Sequence, residues 1–347
     1  MSKAAELAAL IGSQTALSNR NLIINGSAIV SQRGDATGKT ASTYGGPDRF
    51  YTIISSLGTW SISQDTDVPS GSGFSSSYKL ACTIADASPA AGDHLMLHYR
   101  MEGQDLQQLK KGTSSAESVT LSFWVKCYKT GNFQVNLYDQ DNTRIIGTTV
   151  TISTAATWEY KTLTFAGDTS GALGNDNNNS LFIEMVFDSG TTFSSGTVPT
   201  AWEAATNADR GAGTTVALGD STSNYINITG VQLEVGEQAT PFEHRSYGDE
   251  LRRCQRYYKE WSGNIETAGR TKNGTTTCNF ALEMRATPTV TFGTSYAYYN
   301  NTGYEITAIV ANSAQGNLAT THTSFSSTNV GAAASVFLGN LKVDAEL

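Results

Sequence analysis

Residues 119–127, VTLSFWVKC, alternate without a break. Val119, Leu121, Phe123, Val125 and Cys127 point one way; Thr120, Ser122, Trp124 and Lys126 point the other. Successive side chains on a strand face opposite sides, so a period of two fits a half-buried strand and excludes an amphipathic helix. The pattern returns in NFQVNLYDQ, with Phe133, Val135 and Leu137 set against Gln134, Asn136 and Tyr138. Between the two runs lies KTGN, a hairpin turn signal. The expectation is a hairpin whose polar face carries Trp124, Lys126, Tyr128, Gln134, Asn136 and Tyr138.

From residue 21 to about 245 the rest of the chain reads the same way. TWEYKTLTF, SLFIEMVF and NYINITGVQLEVG are strand candidates, and GDHLMLHYRMEG also alternates enough to read as one. Long polar connections join them. Charged residues make up 16% of the 347 residues, against roughly 25% in an average soluble domain. Gly, Ser, Thr and Asn take their place, which suits short strands joined by tight polar turns. The expected fold is mainly β: a jelly-roll β-sandwich over residues 21–245.

Two segments break the pattern. Residues 3–14 have helical spacing, with Ala4, Leu7 and Ile11 on one stripe. About 12 residues are marginal as an isolated helix, so residues 1–20 are expected to attach the chain to something or to start an oligomer. Residues 246–262 read as a connector helix. Asp249 and Glu250 open it, with Arg252, Arg253, Arg256 and Lys259 later, in the order a helix dipole favours. Tyr247, Leu251, Cys254, Tyr258 and Trp261 follow steps of four and three, a heptad seam of about two repeats. Residues 263–347 form a smaller β domain with few large apolar side chains, better stabilised beside other copies.

Three stretches carry a resemblance: NLIINGSAIVSQRG, VTLSFWVKC and ITGVQLEVGEQATPFEHRSYGDELRRCQRYY. Together they resemble a family of tail-fibre and virion structural proteins of bacteriophages, common among marine phages such as cyanophages. The third stretch fits the family pattern almost throughout, and the resemblance covers roughly residues 20–290. It implies a jelly roll similar to carbohydrate-binding modules, then the C-Q-R-Y-Y helix, then a variable β domain. It implies a virion component, and names no ligand.

The six residues on the expected hairpin face have sugar-binding chemistry: aromatic rings for the CH faces and amide or ammonium groups for hydroxyls. Two other readings stay open, packing beneath a loop and an interface between proteins. Trp158, Tyr160 and Trp202 are further aromatic candidates. The acids Asp139, Asp141, Glu184 and Asp188 show no arrangement that marks a glycosidase pair. No nucleophile elbow or phosphate-binding glycine loop occurs. Cys82, Cys127, Cys254 and Cys278 are scattered, and His94, His98, His244 and His322 match no zinc spacing. No cofactor or metal is assigned, although structural calcium at the acidic loops is open. Arg252, Arg253 and Arg256 read as a solvated helix face rather than an anion site.

A net charge of −8 argues against nucleic acid as a partner. No apolar run reaches the roughly 20 residues needed to span a bilayer. The start MSKAAELAALIGSQ lacks a signal-peptide core, so synthesis in a host cytoplasm followed by a place in the virion is expected. The functional expectation is a non-enzymatic, homotrimeric tail or surface fibre. Its N-terminal segment would contact other virion proteins, and it would bind a host surface glycan or protein. The alternative is a capsid decoration, head fibre or adaptor that binds no sugar.

Overall fold

In the computed structural model, β2 (Phe50–Asp65) is the hinge of the architecture. The structure describes residues 19–269, 277–278, 284–286, 288–291, 295–299, 302–305, 310–312, 323–326 and 334–347. The expected helix over 3–14, with Ala4, Leu7 and Ile11, lies outside them. β1 (Ala36–Tyr44) pairs antiparallel with β2. Through Phe50–Ser55, β2 pairs with β4 (His94–Glu102); through Thr59–Asp65 it pairs with β3 (Ser77–Ile84). Ser56 and Gly58, at φ 51° and 66°, turn the strand between these halves.

The remaining strands extend from β2 in both directions. They are β5 (Val119–Cys127), β6 (Gly131–Asp139), β7 (Arg144–Ile152), β8 (Trp158–Phe165), β9 (Asn179–Ser189), β10 (Glu203–Ala204) and β11 (Tyr225–Val235). The first half-sheet runs β10-β7-β6-β9-β4-β2, and the second runs β2-β3-β11-β5-β8. Both turn their apolar faces to one core. Phe133, Val135, Leu137, Ile183 and Met185 line it from the first; Trp60, Leu80, Phe123, Val125 and Ile228 line it from the second. This is a mainly β jelly-roll sandwich, and the alternating runs become the strands expected of them.

The expected hairpin is not formed. β5 pairs with β11 and β8, whereas β6 pairs with β7 and β9. KTGN carries the chain across the core from one half-sheet to the other, with Gly131 at φ 136°. Phe123 and Phe133 meet inside it, ring centroids 6.3 Å apart. A crossing and a hairpin both bury the same alternate residues, so the pattern alone does not separate them. Trp124, Lys126 and Tyr128 are consequently on a different half-sheet from Gln134, Asn136 and Tyr138.

Two of the stretches that carry the family resemblance are clasped together. Leu22 N–H donates to Leu233 O at 2.9 Å, and Val231 N–H donates to Gly26 O at 2.8 Å. The Glu243 carboxylate accepts both Asn19 and Asn21 N–H at 2.8 Å. Arg245 Nη1 donates to Ile23 O at 2.9 Å. A Cβ at Gly26 would lie 2.0 Å from Val231 O, so only glycine permits this approach. The motif residues hold the sandwich shut.

The chain divides into two units, residues 1–247 with Leu347, and residues 248–346. A short helix, α1 (Thr191–Ser194), lies in the first. The second begins within α2 (Tyr247–Gln255), which ends well before the expected boundary near 262. Tyr258 already belongs to β12 (Tyr258–Gly269) and pairs with Asp344 of the final strand, Ala334–Asp344. Trp261 is on the same strand, opposite Leu341. The proposed seam is thus helical only through Tyr247, Leu251 and Cys254. Tyr and Trp fit a pleated sheet, and the strand pairing of Tyr258 onward prevails over a 3–4 spacing two turns long. The other described strands here are Thr277–Cys278, Thr289–Thr291, Ser295–Tyr299, Thr302–Glu305, Val310–Asn312 and Thr323–Ser326.

Candidate functional site

The outer faces of the two half-sheets differ. That of the first is roofed by residues 190–216. Phe193 packs with Met96 and Val186. Gln134 Nε2 donates to Asp209 O at 2.7 Å, and its Oε1 accepts Gly213 N–H at 2.8 Å. Asn136 Nδ2 donates to Arg210 O at 2.8 Å and to Glu184 Oε1 at 3.0 Å. Gln134 and Asn136 are therefore buried fastenings, out of reach of a ligand. Tyr138 stacks on Phe182 at 4.7 Å, with the Arg210 guanidinium 5.5 Å from its ring centre.

Beneath this roof Glu184 is ringed by donors. His98 Nε2 is 2.8 Å from its Oε2, and Arg210 reaches it through Nε at 3.1 and 3.2 Å and also through Nη2. Burial alone would raise the Glu184 pKa; the Arg210 charge, the His98 bond and the His98 charge hold it far below the ordinary 4.5. Burial lowers the His98 pKa below 6.5 despite the Glu184 partner. Glu184 and Asp188 do not share a strand face: a register shift between them turns Asp188 toward Gly219, whose N–H it accepts at 2.8 Å, and Glu184 is fully enclosed and already paired.

The second half-sheet leaves part of its outer face open: Tyr128 and Tyr160 are exposed and Trp124, Lys126, Trp158 and Tyr225 half-buried, while Asn227 and Thr229 are buried beside Ser76 and Ser77. Trp124, Lys126 and Tyr128 project from β5 and its end. Opposite them are Thr229, Asn227 and Tyr225 of β11 on one side, and Tyr160 and Trp158 of β8 on the other. Trp124 and Tyr160 form one aromatic pair, centroids 5.2 Å apart; Tyr128 and Tyr225 form another at 5.7 Å. Tyr160 is 46% exposed and Tyr128 44%. They are two of four exposed large hydrophobic side chains among the described residues.

One ion pair lies between these aromatic pairs and a second lies across β11, beside Tyr225. Lys126 Nζ is 2.7 Å from Asp67 Oδ2, and Trp158 Nε1 donates to the other Asp67 oxygen at 2.9 Å. Lys79 Nζ is 2.6 Å from Asp65 Oδ2 and 5.5 Å from the Tyr225 ring centre. Partial burial would raise the aspartate pKa values; bonds from Lys79 to Asp65, and from Lys126 and Trp158 to Asp67, keep both below 3.8. The Asp67 bond raises Lys126. The result is a surface of tilted aromatic pairs, fixed donors and fixed acceptors. Asp65 and Asp67 carried no local signal in the sequence, because the end of β2 and the loop that follows it deliver them.

Of the six expected site residues, Trp124, Lys126 and Tyr128 come together here with Trp158 and Tyr160. The other three belong to the roofed face. Trp202 is tied down, its Nε1 donating to Ala166 O at 2.7 Å. Tyr247 is exposed, Leu251 half-buried and Cys254 buried. On α2, Arg253 meets Asp249 at 3.3 Å and Arg252 Nε donates to Gly248 O at 3.3 Å. Cys82, Cys127 and Cys254 are buried, and burial pushes the Cys127 thiol up to about 11.

Among the described residues no three His, Cys, Asp or Glu side chains gather as a metal group. Asp139 and the loop at 168–171 instead enclose an ammonium. Lys111 Nζ contacts Asp139 Oδ2, Asp168 Oδ2 at 2.9 Å, Ser170 O at 3.0 Å and Gly171 O at 2.9 Å. Two carboxylates and two carbonyls are the donors a hard cation would take, and Lys111 fills their centre.

No family model matches the chain, and no curated protein matches it. Solved structures do. One is the enzymatically active domain of Bacteriophage CBA120 tailspike protein 4, at 13% identity and TM-score 0.32, covering 62% of this chain and 22% of that one. A CBM4 structure matches at 14% identity and TM-score 0.31, covering 61% and 98%. TmCBM61 in complex with β-1,4-galactotriose matches at 8% identity and TM-score 0.30, covering 63% and 100%.

Proposed function

We propose that this chain is a non-catalytic, glycan-binding component of a phage surface fibre. The observation that carries the reading is the open aromatic face of the second half-sheet. An aromatic ring covers the apolar side of a sugar, while fixed ammonium and carboxylate groups exchange hydrogen bonds with its hydroxyls. Trp124, Tyr160, Tyr128 and Tyr225 offer the first, and Lys126, Asp67, Lys79 and Asp65 the second. The phage assignment rests on the three sequence stretches that resemble virion proteins.

A single such site binds weakly, so the function calls for several copies in one assembly, where linked sites act at high effective concentration. We place these copies in a homotrimer. The segment 1–20 would contact other virion proteins, and the exposed Tyr247 and half-buried Leu251 support a role for α2 in assembly. In light scattering at micromolar concentration the protein should have three times its 36.9 kDa chain mass. Leu251→Asp should lower it. A wild-type mass of one chain would defeat the trimer.

Excess purified protein should compete with intact virions for host cells, and Tyr160→Ala should compete less well. Unchanged adsorption, together with no binding of the protein to cells, would favour a structural role in the capsid or as an adaptor.

A further inference from the structure

The charges on the open face point to the kind of glycan it takes. Each cation there already has an anion: Lys126 pairs with Asp67 at 2.7 Å and Lys79 with Asp65 at 2.6 Å. Trp158 braces the first pair through its indole N–H at 2.9 Å. A sulfate or uronate arriving at either lysine would meet an aspartate that already neutralises that lysine and repels the incoming anion. A cationic sugar would likewise be repelled by the lysine beside each aspartate. Hydroxyl groups face neither obstacle, since each can donate to a spare carboxylate lone pair or accept a spare ammonium hydrogen.

The layout also sets the length of the ligand. The Trp124–Tyr160 and Tyr128–Tyr225 pairs are four residues apart along β5, about 13 Å at strand rise. That span exceeds one sugar ring; Lys126–Asp67 lies within it, and Lys79–Asp65 flanks it beyond β11, beside Tyr225. We infer that the face binds a neutral, extended oligosaccharide lying along β5. A ring stacks at each aromatic pair, the hydroxyls between them bond to Lys126–Asp67, and those beside Tyr225 bond to Lys79–Asp65. This rests on the glycan-binding reading above and narrows it to a chemical class.

The test is affinity electrophoresis of the full chain through neutral polysaccharides (glucans, galactans, mannans) and through sulfated and uronic-acid polysaccharides. Each is run at low salt and at about 0.5 M salt, where the Debye length is a few ångströms. At least one neutral polysaccharide should retard the protein, with an affinity that changes less than about twofold between the two salts. Tyr160→Ala and Tyr128→Ala remove exposed side chains, so both variants should stay folded. Each should weaken binding by about tenfold, in the range of losing one stacked ring. Retardation only by acidic polysaccharides, with a steep loss in salt, would overturn the neutral class while leaving a glycan-binding protein. A wild-type affinity unchanged in both tyrosine variants would overturn the placement on this face. No retardation by any polysaccharide would remove the glycan reading and this inference together.

Discussion

Replacing Lys111 with Met should lower the melting temperature of the sandwich by on the order of 10 °C, whereas Lys110→Met should leave it within about a degree. The two lysines are adjacent in sequence and opposite in setting. Lys110 pairs with Glu117 at 2.6 Å with its side chain 54% exposed. Such surface pairs contribute about 0–1 kcal/mol. The Lys111 side chain is 4% exposed and bonds to carboxylates that are 0% and 3% exposed. Removing the ammonium leaves two buried carboxylates with Arg144 as their remaining cation, 2.7 Å from Asp168. Losing one partner of such a group costs about 3–5 kcal/mol. The Ser170 and Gly171 carbonyls also lose their shared donor, which loosens the connection between β8 and β9. Differential scanning calorimetry on both variants decides the matter. Equal melting temperatures would mean that solvent enters the cage and that Lys111 contributes no more than Lys110.

That contrast shows where the sequence was readable. Period-two runs marked β5, β6, β8, β9 and β11, because one face of each must enter a core and its side chains record that face. Lys110–Lys111 carried no comparable mark: which lysine is enclosed depends on Asp139 and Asp168, 28 and 57 positions further along. The same distinction separates the halves of the expected binding face. Trp124 and Gln134 both alternate outward, yet one lies on an open sheet and the other under residues 190–216. Only strand order, set by contacts between distant segments, separates them. The connector helix failed differently. Its charges do place acids in the first turn and arginines in the last, but an aromatic seam at helical spacing also suits a strand. Pairing with the last strand decides Tyr258 and Trp261.

Acid should unfold the sandwich in two stages, and Glu184 should account for the second. His98 takes up a proton less readily in the fold than in the unfolded chain, because burial lowers its pKa from 6.5. Below that pH the unfolded state binds the extra proton, so stability begins to fall. Glu184 is depressed as well, from 4.5, chiefly by the Arg210 charge acting against burial. Its contribution is complete above 4.5 and is lost as pH drops further, since protonation must then break the pairing with Arg210 and His98. Glu184→Gln keeps the size of the side chain and removes the charge. Arg210 would be left largely buried without its carboxylate, costing about 3–5 kcal/mol at neutral pH. With Glu184 gone, the stage below 4.5 should flatten as well. His98→Gln should flatten the stage between 6.5 and 4.5 and leave the lower one. Urea midpoints followed by tryptophan fluorescence across this pH range measure both effects. If the Glu184→Gln curve merely runs parallel to the wild type, other carboxylates drive acid unfolding. A variant as stable as wild type at neutral pH would mean that the roof over the first half-sheet is held by Gln134, Asn136 and Phe193 without the buried ion pair.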